Sequence, residues 1–276
     1  MIKEITSTNN DLIKEIVQLQ SKSRVRKKKE LFVIEGLREI SLALTSGYTL
    51  KSLLFCEAII GSSELENLMN TFDLNGLELI RVPVKVYERI AHRKTTEGII
   101  AIAIYKELHI SDLKLNKKSL ILVAEASEKP GNLGALFRTA DAANLDAVII
   151  ANPITDLFNP NIIRSSVGCV FTNQIATGST EEILAFLKKN KIMIYAAALH
   201  ASSKEYHLMD FNKPSAIIVG TEATGLSADW TNQSSENIII PMEGKIDSLN
   251  VSVSAAIIIF EAKRQRKFNT QSKGAF

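Results

Sequence analysis

Three segments of this 276-residue chain share one design: an apolar, β-branched run that breaks off into a loop rich in Gly, Asn and Ser. The loops are 128–138 (EKPGNLGALFR), 220–226 (GTEATGL) and 240–254 (IPMEGKIDSLNVSVS). Buried parallel strands read as unbroken apolar runs, and open α/β sheets bind ligands beyond the carboxyl ends of such strands. Three loops of this kind predict an α/β fold with one shared site.

The remaining chain narrows the class. Its length allows two domains with real cores, and 46% hydrophobic with 23% charged residues is the balance of an ordinary globular protein, not of a disordered one. The longest apolar runs fall short of the ~20 residues that span a bilayer. The first residues, MIKEITSTNNDLIKEI, are amphipathic and charged and lack a signal core. The expectation is a cytoplasmic protein without a membrane partner. Cys56 and Cys169 lie in separate apolar segments and read as buried free thiols. The four histidines are scattered, so no protein metal site is expected.

A net charge of +3 says little by itself, but its distribution says more. Lys22, Arg24, Arg26, Lys27, Lys28 and Lys29 form one basic stretch, read as a loop, that fits a phosphate backbone. Lys263, Arg264, Arg266 and Lys267 form a second at the end of the last helix. There a nucleic-acid role and plain compensation of the helix dipole explain the pattern equally well.

Strand and helix patterns alternate up to about residue 105, which predicts a small α/β domain over 1–107. Residues 108–117 read as a polar linker, and a second α/β series occupies 118–276. Within it, a helix over 160–167 is followed by an expected short strand around Val170. Residues 248–254 alternate as a strand would, yet 255–267 is plainly helical. A wide loop leading into a helix capped by Asp247 or Ser248 is the expected resolution. The tail, 269–276, is expected to fray.

In the first loop, Gly131 and Gly134 expose backbone N–H groups where a helix begins, and Asn132 is placed to cap that helix or reach a ligand. Arg138 is a charge in an otherwise apolar helix. At ~100° per residue it shares a face with Gly131, Gly134, Ala135, Asp141 and Ala142, away from Leu133, Leu136, Phe137 and Ala140. Such an arginine can meet a ligand or subunit, or simply pair with Asp141. In the second loop Glu222 is the one acid; taken alone, 220–226 is equally a plain turn.

Four segments, PGNLGALFRTADA, FNPNIIRSSVG, IIVGTEATGL and IPMEGKIDSLNVSVSAAI, resemble in order the signature segments of SpoU-type (TrmH-like) RNA 2′-O-ribose methyltransferases of the SPOUT superfamily. The resemblance covers 119–266. LFVIEGLREI and TTEGIIAI are similar to the substrate-binding domain that such enzymes often carry, whose fold is like a small ribosomal RNA-binding protein. The resemblance implies a C-terminal α/β domain closed by a deep trefoil knot, which topological priors would have excluded. It also implies a homodimer formed through the methyltransferase domains, and S-adenosylmethionine bound in the knot. Asn132, Arg138, Glu222, Ser248 and Asn250 match the family's catalytic motif residues. Ala198, Leu199, Gly220, Glu222, Ile240, Met242, Ser248 and Leu249 match its cofactor contacts. Arg24, Arg26, Lys27, Lys28, Lys29 and Arg164 are the expected RNA contacts. Thr221 departs from the pattern, since many members carry Asn there.

The implied reaction is methylation of an RNA ribose hydroxyl, in ribosomal RNA rather than transfer RNA. A guanidinium with a pKa above ~12 is a poor base, so Arg138 is expected to stabilise the developing alkoxide. The rival from another class is an RNA-binding or ribosome-assembly protein with vestigial catalysis. A Rossmann-type enzyme is disfavoured, because no Gly-x-Gly-x-x-Gly follows the first strand of 118–276.

Overall fold

The computed structural model describes residues 2–73, 76–92, 97–221 and 224–268. The tail 269–276, the TT of TTEGIIAI and Glu222 lie outside the described residues. The first ten elements are β1 (Ile2–Glu4), α1 (Asp11–Ser21), α2 (Ser23–Lys29), β2 (Leu31–Glu35), α3 (Leu37–Thr45), β3 (Leu50–Phe55), α4 (Ser62–Thr71), β4 (Glu78–Arg81), α5 (Val84–Ile90) and β5 (Ile99–Ile104). Next come β6 (Leu120–Glu125), α6 (Pro130–Ala142), β7 (Ala147–Ala151), α7 (Pro160–Ser165), α8 (Cys169–Thr172), β8 (Ile175–Gly178) and α9 (Thr180–Lys189). The chain ends with β9 (Met193–Ala197), β10 (Lys204–Glu205), β11 (Ser215–Val219), α10 (Ala228–Gln233), β12 (Glu236–Ile239) and α11 (Val251–Gln265). Among the described residues, no helix is long and apolar enough to cross a membrane.

Two compact units form. The first comprises Met1–Glu107 and Thr155–Thr172, the second Leu108–Ile154 and Asn173–Phe276. The stretch Thr155–Thr172, expected inside 118–276, thus groups with the N-terminal unit. Residues expected as a linker group with the second unit: His109 bridges Thr177, and Lys114 exchanges backbone bonds with the amide of Gln174.

The first unit is built on a mixed sheet in the order β1-β4-β3-β5-β2. Its strand β2 is buried along its whole length, so alternate residues must find cover on both faces. Leu31 and Val33 join Ile13, Ile16 and Leu19 of α1 and Val86, Tyr87 and Ile90 of α5 in one core. On the other face Phe32 stacks on Phe158 with ring centroids 4.3 Å apart. That stack is one reason why 155–172 belongs to this unit. A second is the approach of Gly168 to α3. A Cβ there would meet Leu42 Cδ1 at 2.8 Å, and its φ of +82° favours glycine. The strand expected around Val170 is instead the short helix α8, buried against this unit, and the strand follows at Ile175–Gly178. Burial on all sides makes a run such as CVF ambiguous between the two periods.

The basic stretch is likewise ordered, not a loop. It forms α2, which ends at Glu30 in the left-handed conformation with φ 53°. α1 begins at an Asn10 cap whose side chain accepts from Leu12 N, worth ~1 kcal/mol relative to alanine.

The second unit is a seven-stranded sheet, β10-β12-β9-β11-β6-β7-β8, paired in parallel throughout. β6, β7 and β11 are buried end to end, as unbroken apolar runs demand. Ile183, Leu184 and Leu187 of α9 and Trp230 of α10 pack on this sheet. α9 starts with a reciprocal capping box between Ser179 and Glu182.

Candidate functional site

A cleft of about 660 Å³ opens beyond the carboxyl ends of β9, β11 and β12. Its volume lies within the roughly 300–1,000 Å³ of small-molecule sites. The floor is the strand ends themselves: Ala197 and Ala198, Val219 and Gly220, Ile238 to Ile240. Backbone pairing continues to this edge, where Ala198 N donates to Ile238 O at 3.1 Å. Met242 and the stretch Asp247 to Val251 form one wall; Thr221, Thr224, Gly225 and Leu226 form another. The lining is amphipathic, with isoleucines beside hydroxyl, amide and carboxyl groups.

Local chemistry explains each wall. At Gly220 a Cβ would fall 2.3 Å from the carbonyl carbon and oxygen of Gly225, so the second loop can fold back only on a glycine. It closes by paired backbone bonds between Thr221 and Gly225, both 3.1 Å. The Thr221 hydroxyl accepts from Thr224 N at 3.1 Å and lies 2.8 Å from Thr224 Oγ1. Thr221, the departure from the family pattern, therefore knits this loop together.

The third loop ends at Asn250, not at Asp247 or Ser248. Asn250 is the cap of α11: its Oδ1 accepts from Ser252 N at 2.9 Å and from Ser252 Oγ at 2.6 Å. The alternation over 248–254 is a loop running into a helix, because its valines and serines lie on an amphipathic first turn. Asn250 Nδ2 also donates to Asn132 Oδ1 at 3.2 Å, joining the third loop to the first. Asn132 does not cap α6, which begins at Pro130 with Lys129 as cap. It sits inside the first turn and turns its amide to the other loop.

Eight expected residues line the cleft: Ala198, Leu199, Gly220, Ile240, Met242, Ser248, Leu249 and Asn250. Ser248 is exposed and donates to Asp247 Oδ1 at 3.1 Å. Arg138 is exposed on α6, whose buried face is Leu133, Gly134, Leu136, Phe137 and Ala140. Gly134, expected on the Arg138 side, is buried. Asp247, Thr224 to Leu226 and Ser254 lie within the expected loops but were not among the expected contacts, and Ile258, outside those loops, is brought to the cleft by the fold alone.

In the first unit the basic residues divide. Arg24, Lys27, Lys28 and Arg164 are exposed, and so is Lys29, whose ammonium pairs with Glu15 at 2.7 Å. Arg26 corrects the expectation of an RNA contact, because it is buried. Its Nε donates to Asp156 at 2.5 Å and its Nη1 to Leu19 O at 2.6 Å. The helical turn of α2 carries Arg26 inward and leaves Arg24, Lys27 and Lys28 outward. Burial, then the neighbouring Asp156, pushes the Tyr105 phenol beside this pair up to about 12.

The C-terminal cluster is mostly structural. Arg264 forms a two-pronged pair with Glu261 at 2.7 and 2.8 Å. Arg266 spends its guanidinium on the carbonyls of Phe211, Lys213 and Lys118, and burial lowers its pKa.

Comparison with known proteins agrees with this geometry. Residues 119–260 match the model of the SpoU rRNA Methylase family, and 10–101 that of an MRM3-like substrate binding domain. The chain is 29% identical to the 23S rRNA (guanosine(2553)-2′-O)-methyltransferase RlmP of Bacillus subtilis, over 95% of this chain and all of that protein. A crystal structure of an RNA 2′-O ribose methyltransferase is 38% identical, with a TM-score of 0.82 over 96% of this chain and all of that one. The AdoMet-bound rRNA methyltransferase from Sinorhizobium meliloti is 28% identical, with a TM-score of 0.87 over 95% of this chain and 98% of that one. The tRNA (guanosine(18)-2′-O)-methyltransferase of Thermus thermophilus is 34% identical but matches only 56% of this chain, and 79% of its own length. A parallel sheet with a cleft at its strand ends, two signature loops joined by Asn132 and Asn250, and a matching model over more than half its length place this chain in the SpoU rRNA methylase family.

Proposed function

We propose that this protein methylates a ribose 2′-hydroxyl of ribosomal RNA in the cytoplasm, using S-adenosylmethionine. The observation that carries the ribosomal assignment is coverage. The 23S enzyme of Bacillus subtilis matches 95% of this chain, N-terminal unit included, whereas the transfer-RNA enzyme matches little more than half.

S-adenosylmethionine supplies an electrophilic methyl group on a sulfonium sulfur. The cleft suits such a molecule, since isoleucines fit its adenine and the hydroxyl, amide and carboxyl groups of Thr221, Ser248, Asn250 and Asp247 fit its polar parts. Ala198, Leu199, Gly220, Ile240, Met242, Ser248 and Leu249 would hold it, joined by Glu222. Trefoil threading of the C-terminal segment belongs to the same reading.

On the RNA side, Arg138 stabilises the oxyanion as the ribose hydroxyl loses its proton to solvent or to an RNA phosphate. A guanidinium offers donors and no acceptor, so that proton must go elsewhere. Asn132, Glu222, Ser248 and Asn250 orient the two loops around it. Arg24, Lys27, Lys28, Lys29 and Arg164 hold RNA phosphates from the first unit. Pairing through the methyltransferase unit fits the apolar stripe of α11, where Val253 and Phe260 are 46% and 40% exposed.

The test is transfer of labelled methyl from S-adenosylmethionine to size-fractionated bacterial RNA and ribosomal particles. Label in 23S RNA at one ribose, absent with Arg138→Ala, supports the reading. Label confined to transfer RNA would overturn the ribosomal assignment. Cofactor binding without transfer to any RNA would favour a binding protein with vestigial catalysis.

A further inference from the structure

We infer that Glu125 is a positioning residue for this reaction, holding the wall of the cleft formed by the second loop; the inference rests on the function proposed above. Glu125 is the last residue of β6, in the middle of the parallel sheet, and only 6% exposed. An acid at the end of a run reading LILVA is costly to bury unless its oxygens are matched by donors. Three donors match them. Ser227 N donates to Oε2 and Ser227 Oγ to Oε1, both at 2.8 Å, and Thr180 Oγ1 donates to Oε1 at 3.3 Å.

Two of the three bonds go to one residue, so the carboxyl group fixes both the place and the orientation of Ser227. Ser227 is the cap of α10, yet its side chain makes no bond to that helix; its hydroxyl is turned to Glu125 instead. The residue before it is Leu226, and Thr221, Thr224, Gly225 and Leu226 all face the cleft. The second loop is therefore held at both ends: at its start by the close fit of Gly220 under Gly225, at its exit by Glu125. Thr180 extends the anchor, since its Oγ1 also accepts from Asn152 Nδ2 at 2.9 Å. The same strand end leads into the loop carrying Asn132, so one carboxyl group ties the first signature loop to the second.

Glu125→Ala leaves Ser227 N–H without its acceptor and frees the loop exit. Glu125→Gln keeps an oxygen for Ser227 N, and the Ser227 hydroxyl can rotate to accept from the new amide. Wild type, both variants and Ser227→Ala are compared by calorimetric titration with S-adenosylmethionine, by steady-state methyl transfer and by thermal midpoint. Glu125→Ala is expected to raise the cofactor Kd and KM about tenfold, the equivalent of one lost buried bond, with kcat at saturating cofactor little changed. Glu125→Gln should restore most of the affinity, and Ser227→Ala should raise KM about threefold. A lower midpoint with unchanged Kd and KM in Glu125→Ala would make the residue merely structural and overturn the inference. If that variant does not fold, an unchanged KM in Ser227→Ala overturns it equally. Failure of the wild-type protein to bind S-adenosylmethionine would instead overturn the proposed function.

Discussion

Asn132 and Asn250 meet through their side-chain amides, 118 positions apart in sequence and 3.2 Å apart in space. One belongs to the first turn of α6, the other caps α11, and the contact makes one site of two loops. Asn250 has two separable duties: its oxygen caps the helix and its nitrogen reaches Asn132.

Aspartate separates them. Asn250→Asp keeps the capping oxygen, and its charge suits a helix N-terminus, but it has no N–H for Asn132. Its thermal midpoint should stay near that of wild type while cofactor affinity falls. Asn250→Ala should lose about 1 kcal/mol of stability as well. Thermal melts paired with cofactor titration check both; equal affinity in wild type and Asn250→Asp would deny the contact a role in binding.

Arg138 is exposed on the surface of α6. Arg138→Ala should therefore change stability by no more than about 0.5 kcal/mol. Loss of an oxyanion donor predicts a fall in kcat of roughly 10²–10³ with cofactor binding intact. Single-turnover methyl transfer measures this directly, and a variant as fast as wild type would remove Arg138 from the chemistry.

The basic stretch predicts two opposite phenotypes. Arg26→Ala leaves Asp156 buried without its partner, which costs about 3–5 kcal/mol, so denaturant midpoints should drop sharply. Lys27→Ala and Lys28→Ala should leave the midpoint unchanged and each reduce the salt slope of RNA binding by about one. Filter binding across a salt series tells the two apart.

Gly220→Ala places a methyl group against the backbone of Gly225. The Thr221–Gly225 turn must open, at about 1–3 kcal/mol for such overpacking. Cofactor affinity should fall with it. Calorimetry on Gly220→Ala, beside Gly244→Ala where a Cβ meets nothing within 4 Å, gives the comparison.

The Arg264 guanidinium, bonded to Glu261, holds that carboxyl at about 2, below the ~4.3 of a free glutamate. A depressed carboxylate stabilises the fold above its unfolded pKa, and the contribution fades as pH falls from about 4.3 toward 2. The midpoint difference between wild type and Glu261→Gln should accordingly be constant near neutrality and shrink over that acid range. Thermal melts at stepped pH follow it.

Much of the site is local enough to be legible in the chain. Gly220 and the apolar runs before each loop carry their constraint in a few adjacent residues: a turn that tolerates no side chain, a strand buried on both faces. The cap of α11 is less legible, because Asp247, Ser248 and Asn250 are all good caps and the structure uses Asn250. Arg26 and Val170 are different. Nothing beside Arg26 in sequence distinguishes it from Lys27, since the acid that buries it stands 130 positions away. Val170 sits in a run apolar enough for either period, and packing against α3 made it helical.

The sequence by itself determined the alternation of strands and helices, the two-part organisation and the loops that border the cleft, because hydrophobic period and turn chemistry act over a few residues. Only the tertiary structure decided that 155–172 joins the first unit, that Arg26 is a buried partner of Asp156, and that Glu125 anchors the second loop. Those outcomes depend on which distant groups meet, and burial makes each unmatched charge or donor costly enough to select one partner.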